Sequence, residues 1–311
     1  MRKLFAKGCL VLALCVCFTG VLLLLSAREP FRSVIAAVTG SEAYASKLDA
    51  SGEVIAYIEK AQTKDESSKL IVGDSVCNSL FGELQELNPD YKILCCNKGI
   101  TMAGQYILTK EYLDCHENVT DVYLIVISNS LITGFDTEFG YQYAVIPFVR
   151  TGTIGDLEER TVREMKSLYF APFLKEAVIE YVEASPLIKK LYLNAEKELR
   201  PTVLQLSFPD VTVEYIQKMY ELCKERNVKM HFMAPPLAET DERRKVEAVL
   251  REEYEKSPLY ELFPNYYDSY VYYPAELFPD GIHPNVDRKY KNEMIRAMEE
   301  KMDQVWDLRL E

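Results

Sequence analysis

The sequence predicts an α/β domain, a three-layer α/β/α arrangement with a central parallel sheet, carried on one N-terminal transmembrane helix. Three observations predict it. The body alternates short apolar runs with stretches of helical spacing, the order that builds a parallel sheet flanked by helices. One run, residues 121–127 (DVYLIVI), is almost wholly apolar, as a parallel strand covered on both faces must be. Residues 9–27 carry no charge. At about 1.5 Å per residue they just cross a hydrocarbon core of about 30 Å.

The elements follow in chain order. Arg2, Lys3 and Lys7 precede the apolar run, so residues 1–8 are expected in the cytoplasm and the body outside it. Residues 9–27 read as a retained anchor. Leu25-Ser26-Ala27 also tolerates cleavage as a signal peptide, and either reading places the body beyond the cell membrane. Residues 28–66 read as a stalk or lead-in helix, and residues 67–311 as the domain. Residues 69–73 form a strand that runs into Asp74-Ser75. Residues 76–87 place Leu80, Leu84 and Leu87 on one helical face. A strand is expected over 91–96, a helix over 103–113 and the central strand over 121–127. Residues 136–200 read as a helical insertion, a lid or wall over the sheet edge. Residues 213–226 suit an amphipathic helix, and 228–234 a strand stopped by Pro235-Pro236. Residues 267–272 read as the last strand and 286–306 as a closing helix.

Composition limits the function. The 311 residues are 48% hydrophobic and 27% charged, ordinary for a globular chain with room for a large core. The formal net charge is −12, and no basic block offsets it. That argues against nucleic acid as a partner, because phosphate backbones select basic surfaces. Cys77, Cys95, Cys96, Cys115 and Cys223 lie outside the apolar segment. They show neither metal spacing nor a disulfide framework. Adjacent Cys95 and Cys96 point to opposite faces of a strand, so at most one is expected in the core.

Two motifs could carry chemistry. Gly73-Asp74-Ser75 ends a strand and starts a helix, which exposes a serine hydroxyl at the sheet edge. The Ser75 amide then sits where partial positive charge favours an oxyanion. The same residues would also serve as a plain helix cap. Asp280-Gly281-Ile282-His283 puts a carboxylate three residues before a histidine in a Pro/Gly-rich loop. A serine nucleophile needs such a base, and the base needs an orienting group. Of the other histidines, His116 reads as a surface cap and His231 as a part-buried strand residue. The run 241–245 (DERRK) reads as a solvated helix start, with an anion-binding patch as the other possibility. The tyrosines of 265–273 suit core and rim packing, or a sugar platform.

With these residues in view, the chain resembles the SGNH, or GDSL-like, hydrolases. Gly73-Asp74-Ser75 is similar to their first block and Asp280-x-x-His283 to their last. Residues 97–104 (NKGITMAG) resemble the second block, whose backbone amide helps form the oxyanion hole; Gly99, Met102 and Gly104 are its candidates. Residues 125–130 (IVISNS) resemble the third, with serine in place of the usual glycine and Asn129 one place early. Asn129 is the candidate side-chain donor, with Ser130 as the other.

The layout resembles membrane-anchored members acting on bacterial cell-surface polymers, in polysaccharide O-acetylation and in D-alanyl transfer to teichoic acid. The resemblance implies a serine esterase or O-acyltransferase of the cell envelope. Ser75 would be nucleophile, His283 base and Asp280 its orienting group, with the Ser75 amide, the 99–104 loop and Asn129 around the oxyanion. No metal or organic cofactor is implied. Its partners would be an acylated surface glycan or polymer and an integral-membrane acyltransferase, with the membrane itself reached through residues 9–27. The alternative is a catalytically inactive module on the same fold, binding a surface polymer or such an acyltransferase.

Overall fold

The computed structural model describes residues 2–39, 50–135, 140–168, 185–187 and 206–301. Four parallel strands form the main sheet: β1 (Lys69–Gly73), β2 (Tyr91–Cys95), β3 (Asp121–Ile125) and β4 (Lys229–Met233), in the order β2-β1-β3-β4. β1 lies between its two partners in register, with Gly73 opposite both Cys95 and Ile125. The chain leaves β1 toward one side for β2, then crosses to the other side for β3. That reversal opens a crevice beyond the carboxyl end of β1, where open α/β sheets hold their ligands.

Successive strand residues feed different cores. Leu70, Val72, Leu94, Val122 and Leu124 join one apolar cluster, and Ile71, Ile93, Tyr123 and Ile125 the other. The first is lined by helices Ala50–Gln62, Thr101–Cys115 and Asp210–Glu225, the second by Ser75–Phe81 and Arg288–Lys301. Covered faces explain the uninterrupted apolar strands. They also correct the expectation for the paired cysteines. Cys95 and Cys96 do point to opposite faces, but both are buried, one in each cluster.

Several boundaries differ from the sequence reading. Residues 76–87 form two short helices, Ser75–Phe81 and Leu84–Leu87, with Gly82, a poor helix former, at the break. Residues 267–272 are not a strand. Tyr266, Tyr267 and Tyr270 turn inward around a 3₁₀ turn, Tyr267–Ser269. β6 begins only at Tyr272 (Tyr272–Pro274), pairing in parallel with β5 (Leu237–Glu239) in a separate small sheet.

Within residues 28–66, helix Ala50–Gln62 buries Val54, Ile58 and Ala61 in the first cluster, so it is packed as part of the domain. The 136–200 segment is helical over Ile146–Arg150 and Glu159–Leu168, and Ile146, Phe148 and Met165 join that same core. Residues 136–139, 169–184 and 188–200 of this segment lie outside the described residues. At the N-terminus, Arg2–Ser26 is one helix. Its Phe5–Ser26 segment has a mean hydropathy of 2.8 and is unburied except at Ser26, its last residue; it is long and apolar enough to cross a membrane.

Candidate active site

Ser75 opens the helix that follows β1, at the crevice. Asp74 caps that helix: its Oδ1 accepts from the amides of Val76 (3.0 Å) and Cys77 (3.2 Å). The cap therefore engages the two amides after Ser75 and leaves the Ser75 amide itself uncapped. The cap foreseen from the sequence is present in this turn, and Ser75 itself is half-buried. Gly73 has a different role from the turn flexibility its position suggested. A Cβ on it would lie 2.1 Å from the Ile125 carbonyl oxygen, so only glycine lets β1 and β3 approach so closely. The Gly73 carbonyl is held by the Cys96 amide (2.9 Å) and by Nε2 of buried Gln105 (2.8 Å).

The loop before the last helix meets this turn from 208 residues away in sequence. His283 Nε2 lies 2.8 Å from Ser75 Oγ, and His283 Nδ1 lies 2.6 Å from Asp280 Oδ2. Asp280 Oδ1 accepts from the backbone amides of Ile282 (2.9 Å) and His283 (2.7 Å). Gly281, at φ +76°, makes the reversal that brings these amides back to the carboxylate. The His283 and Ile282 amides and the imidazole hold the Asp280 carboxyl well below the usual carboxylate range. An ionised Asp280 can only accept a hydrogen bond, so it takes one from Nδ1–H and leaves Nε2 as the ring nitrogen that faces the Ser75 hydroxyl. The pair lies at the surface, with side chains 36% exposed for His283 and 56% for Asp280.

The loop after β3 is gripped residue by residue. Asp74 Oδ2 accepts from the Ile127 amide (2.8 Å) and the Ser130 hydroxyl (2.7 Å). Burial nevertheless raises the Asp74 pKa, against the four bonds that favour the charge. Ser128 donates to Oε1 of buried Glu247 (2.6 Å), whose Oε2 accepts from Tyr270 Oη (3.1 Å). Arg243 Nη1 donates to Asn129 Oδ1 (2.8 Å) and to Glu247 Oε1 (3.3 Å). Of the two third-block candidates, Ser130 is thus engaged by Asp74. Asn129 has its oxygen bonded and its NH2 group on the other branch of the amide.

The second-block candidates divide as well. Asn97 Oδ1 accepts from the Gly99 amide at 2.8 Å, which removes Gly99 as a donor to anything else. Gly104 is the fourth residue of helix Thr101–Cys115, packed against Ile100 of the preceding turn. Met102 lies in the first turn of that helix, where amides lack intrahelical acceptors. Just before it Thr101 adopts φ 58°, ψ −178°, a region almost confined to glycine. No sequence signal marked that strain.

Other expectations are settled by position. His116 does cap a helix, closing Thr101–Cys115, but it is buried and not at the surface. Its Nδ1 contacts the Tyr112 carbonyl (2.8 Å) and its Nε2 accepts from the Asp65 amide (2.9 Å). His231 is a buried strand residue, 2.8 Å from Asp121 and stacked on Tyr123. Tyr266, Tyr267 and Tyr270 are core residues. The 241–245 run does start a helix, but Arg243 turns inward to Asn129 and Glu247. Arg243 and Glu247 are the site residues that the sequence reading missed. Their i, i+4 spacing was legible; their shared target on another loop was not. Among the described residues no group of three or more His, Cys, Asp or Glu is placed to hold a metal ion.

No family model matches the chain, and no curated protein matches it in sequence. Among solved structures, a Bacteroides fragilis NCTC 9343 protein described as a putative acylhydrolase aligns over 79% of this chain and 92% of its own. Its identity is 13% and its TM-score 0.39. So distant a likeness carries no weight below.

Proposed function

We propose that this protein is a membrane-anchored, extracytoplasmic serine esterase or O-acyltransferase of SGNH-like, three-layer architecture, acting on ester-linked acyl groups of a cell-surface glycan or polymer. The observation that carries the reading is the hydrogen-bonded series Ser75 Oγ, His283 Nε2, His283 Nδ1, Asp280 Oδ2. In the first step His283 takes the Ser75 proton as Oγ attacks the ester carbonyl. The oxyanion that forms is held by the amides of Ser75 and Met102 and by the Asn129 side chain. Collapse breaks the ester C–O bond, and His283 returns its proton to the departing alkoxide. Water or a sugar hydroxyl then attacks the acyl-serine by the same proton path, giving the free acid or a new ester. Asp280 stays ionised and stabilises the imidazolium in each half. The apolar Phe5–Ser26 helix and the cations before it support anchoring with the domain outside.

The test is reaction of the purified full chain in detergent with a fluorophosphonate, which labels only an activated serine. One equivalent of label on Ser75, absent from Ser75→Ala, is the expected result. An unlabelled parent protein that still binds a surface polymer would replace the enzyme with the binding module.

A further inference from the structure

The geometry points to Arg243 as a positioning residue for the esterase reaction: it fixes the Asn129 amide so that its NH2 group donates to the oxyanion. This deepens the reading above and rests on it. A guanidinium carries donors only, so the atom of Asn129 that faces it must be the carbonyl oxygen. The 2.8 Å contact to Arg243 Nη1 therefore sets which way the amide is turned, a choice an unpartnered asparagine leaves open. The NH2 group lies on the opposite branch. The loop bearing it is tied, through Ile127 and Ser130, to Asp74, the residue next to Ser75.

Arg243 is itself held. Its side chain is only 13% exposed, and its guanidinium shares Glu247 with Ser128 and Tyr270. Ser128, Asn129 and Ser130 are thus anchored in turn to Glu247, Arg243 and Asp74. A serine in place of the usual glycine at the start of this block has a purpose in such a scheme, because its hydroxyl fastens the loop to the carboxylate that orients Arg243. The guanidinium also draws electron density from the Asn129 carbonyl, which makes the NH2 a stronger donor to developing negative charge.

The experiment uses the full chain in detergent, with p-nitrophenyl acetate as substrate and a fluorophosphonate for active-site titration. Removing the arginine alone would leave Glu247 buried and unpaired. Arg243→Met is therefore made both alone and with Glu247→Gln, each judged against its own Arg243 parent. Loss of positioning should lower kcat about tenfold or more with KM within about twofold, while the titrated fraction of reactive Ser75 stays full. Arg243→Lys should recover part of the rate. Adding Arg243→Met to Asn129→Ala should slow the enzyme no further, because the two act through one donor. The proposal is overturned if the two losses multiply, if only the titrated fraction falls, or if Asn129→Ala is as fast as the parent. A parent protein that neither turns over nor titrates ends the esterase reading and this proposal together. One that titrates normally while Arg243→Met is unimpaired ends the proposal alone.

Discussion

Replacing Gly73 with alanine tests whether the approach of β1 to β3 positions Ser75, the proposed nucleophile. The new Cβ would lie 2.1 Å from the Ile125 carbonyl oxygen, 2.8 Å from Cys77 Cβ and 3.0 Å from Cys77 Sγ, where ordinary contact begins at 3.4 Å. Ile125 is the register partner of Gly73, so its carbonyl cannot retreat by more than an ångström without opening the ladder. Cys77 is fully buried on the helix that Ser75 starts and cannot retreat without moving that helix. Overpacking costs about 1–3 kcal/mol, and a collision with backbone belongs at about 3. With a urea slope of about 3 kcal/mol/M, the midpoint should fall by about 1 M. The fluorophosphonate rate at Ser75 should fall too, because the strain is released into the turn two residues away. Gly155→Ala, where an added Cβ meets nothing within 4 Å, is the control. A Gly73→Ala protein with the midpoint and labelling rate of that control would refute the reasoning.

Other consequences can be measured on the same preparations. His283→Ala should slow labelling more than Asp280→Asn, because the aspartate orients and charges the base without moving the proton; the reverse order would reassign the base. The depressed Asp280 pKa makes its stabilisation fully present above its unfolded value of about 3.9, to be lost as pH falls through the folded one. The stability gap between parent and Asp280→Asn should therefore narrow between urea midpoints at pH 7 and pH 3, and it should be small because the pair is half exposed. Ser130→Ala removes one of the donors to buried Asp74 and should cost about 1–3 kcal/mol in the same denaturation. A chain lacking residues 1–28, exported with a cleavable signal, should fractionate as soluble; membrane retention would place the attachment elsewhere.

The parts of this fold legible in sequence were those with a strong local signature. The DVYLIVI run marked a strand covered on both sides, and the uncharged 9–27 segment marked a helix without a buried face. Ser75, Asp280 and His283 stood out because each motif joins chemistry to a turn. The glycines in those turns are there for different reasons, a close approach to β3 at Gly73 and a positive φ at Gly281. Illegible were the features set by tertiary partners. The tyrosines of 265–273 alternate poorly as a strand because Tyr266, Tyr267 and Tyr270 pack on one another and on Phe232. His116 looked like a surface residue because Asp65, the donor that satisfies it, lies 51 residues earlier.

The same distinction explains why the proposed oxyanion donors were harder to read from sequence than the Ser-His-Asp series. An acid and base need mutual contact, so a short loop can hold both, as 280–283 does. An oxyanion donor needs only direction, and direction comes from whatever holds its other end. For Gly99 that end is Asn97, which takes the amide away. For Asn129 it is Arg243, 114 residues on, which takes the oxygen and leaves the NH2 group. On the proposal above, the three successive anchors on residues 128–130 would fix where an Asn129 donor points.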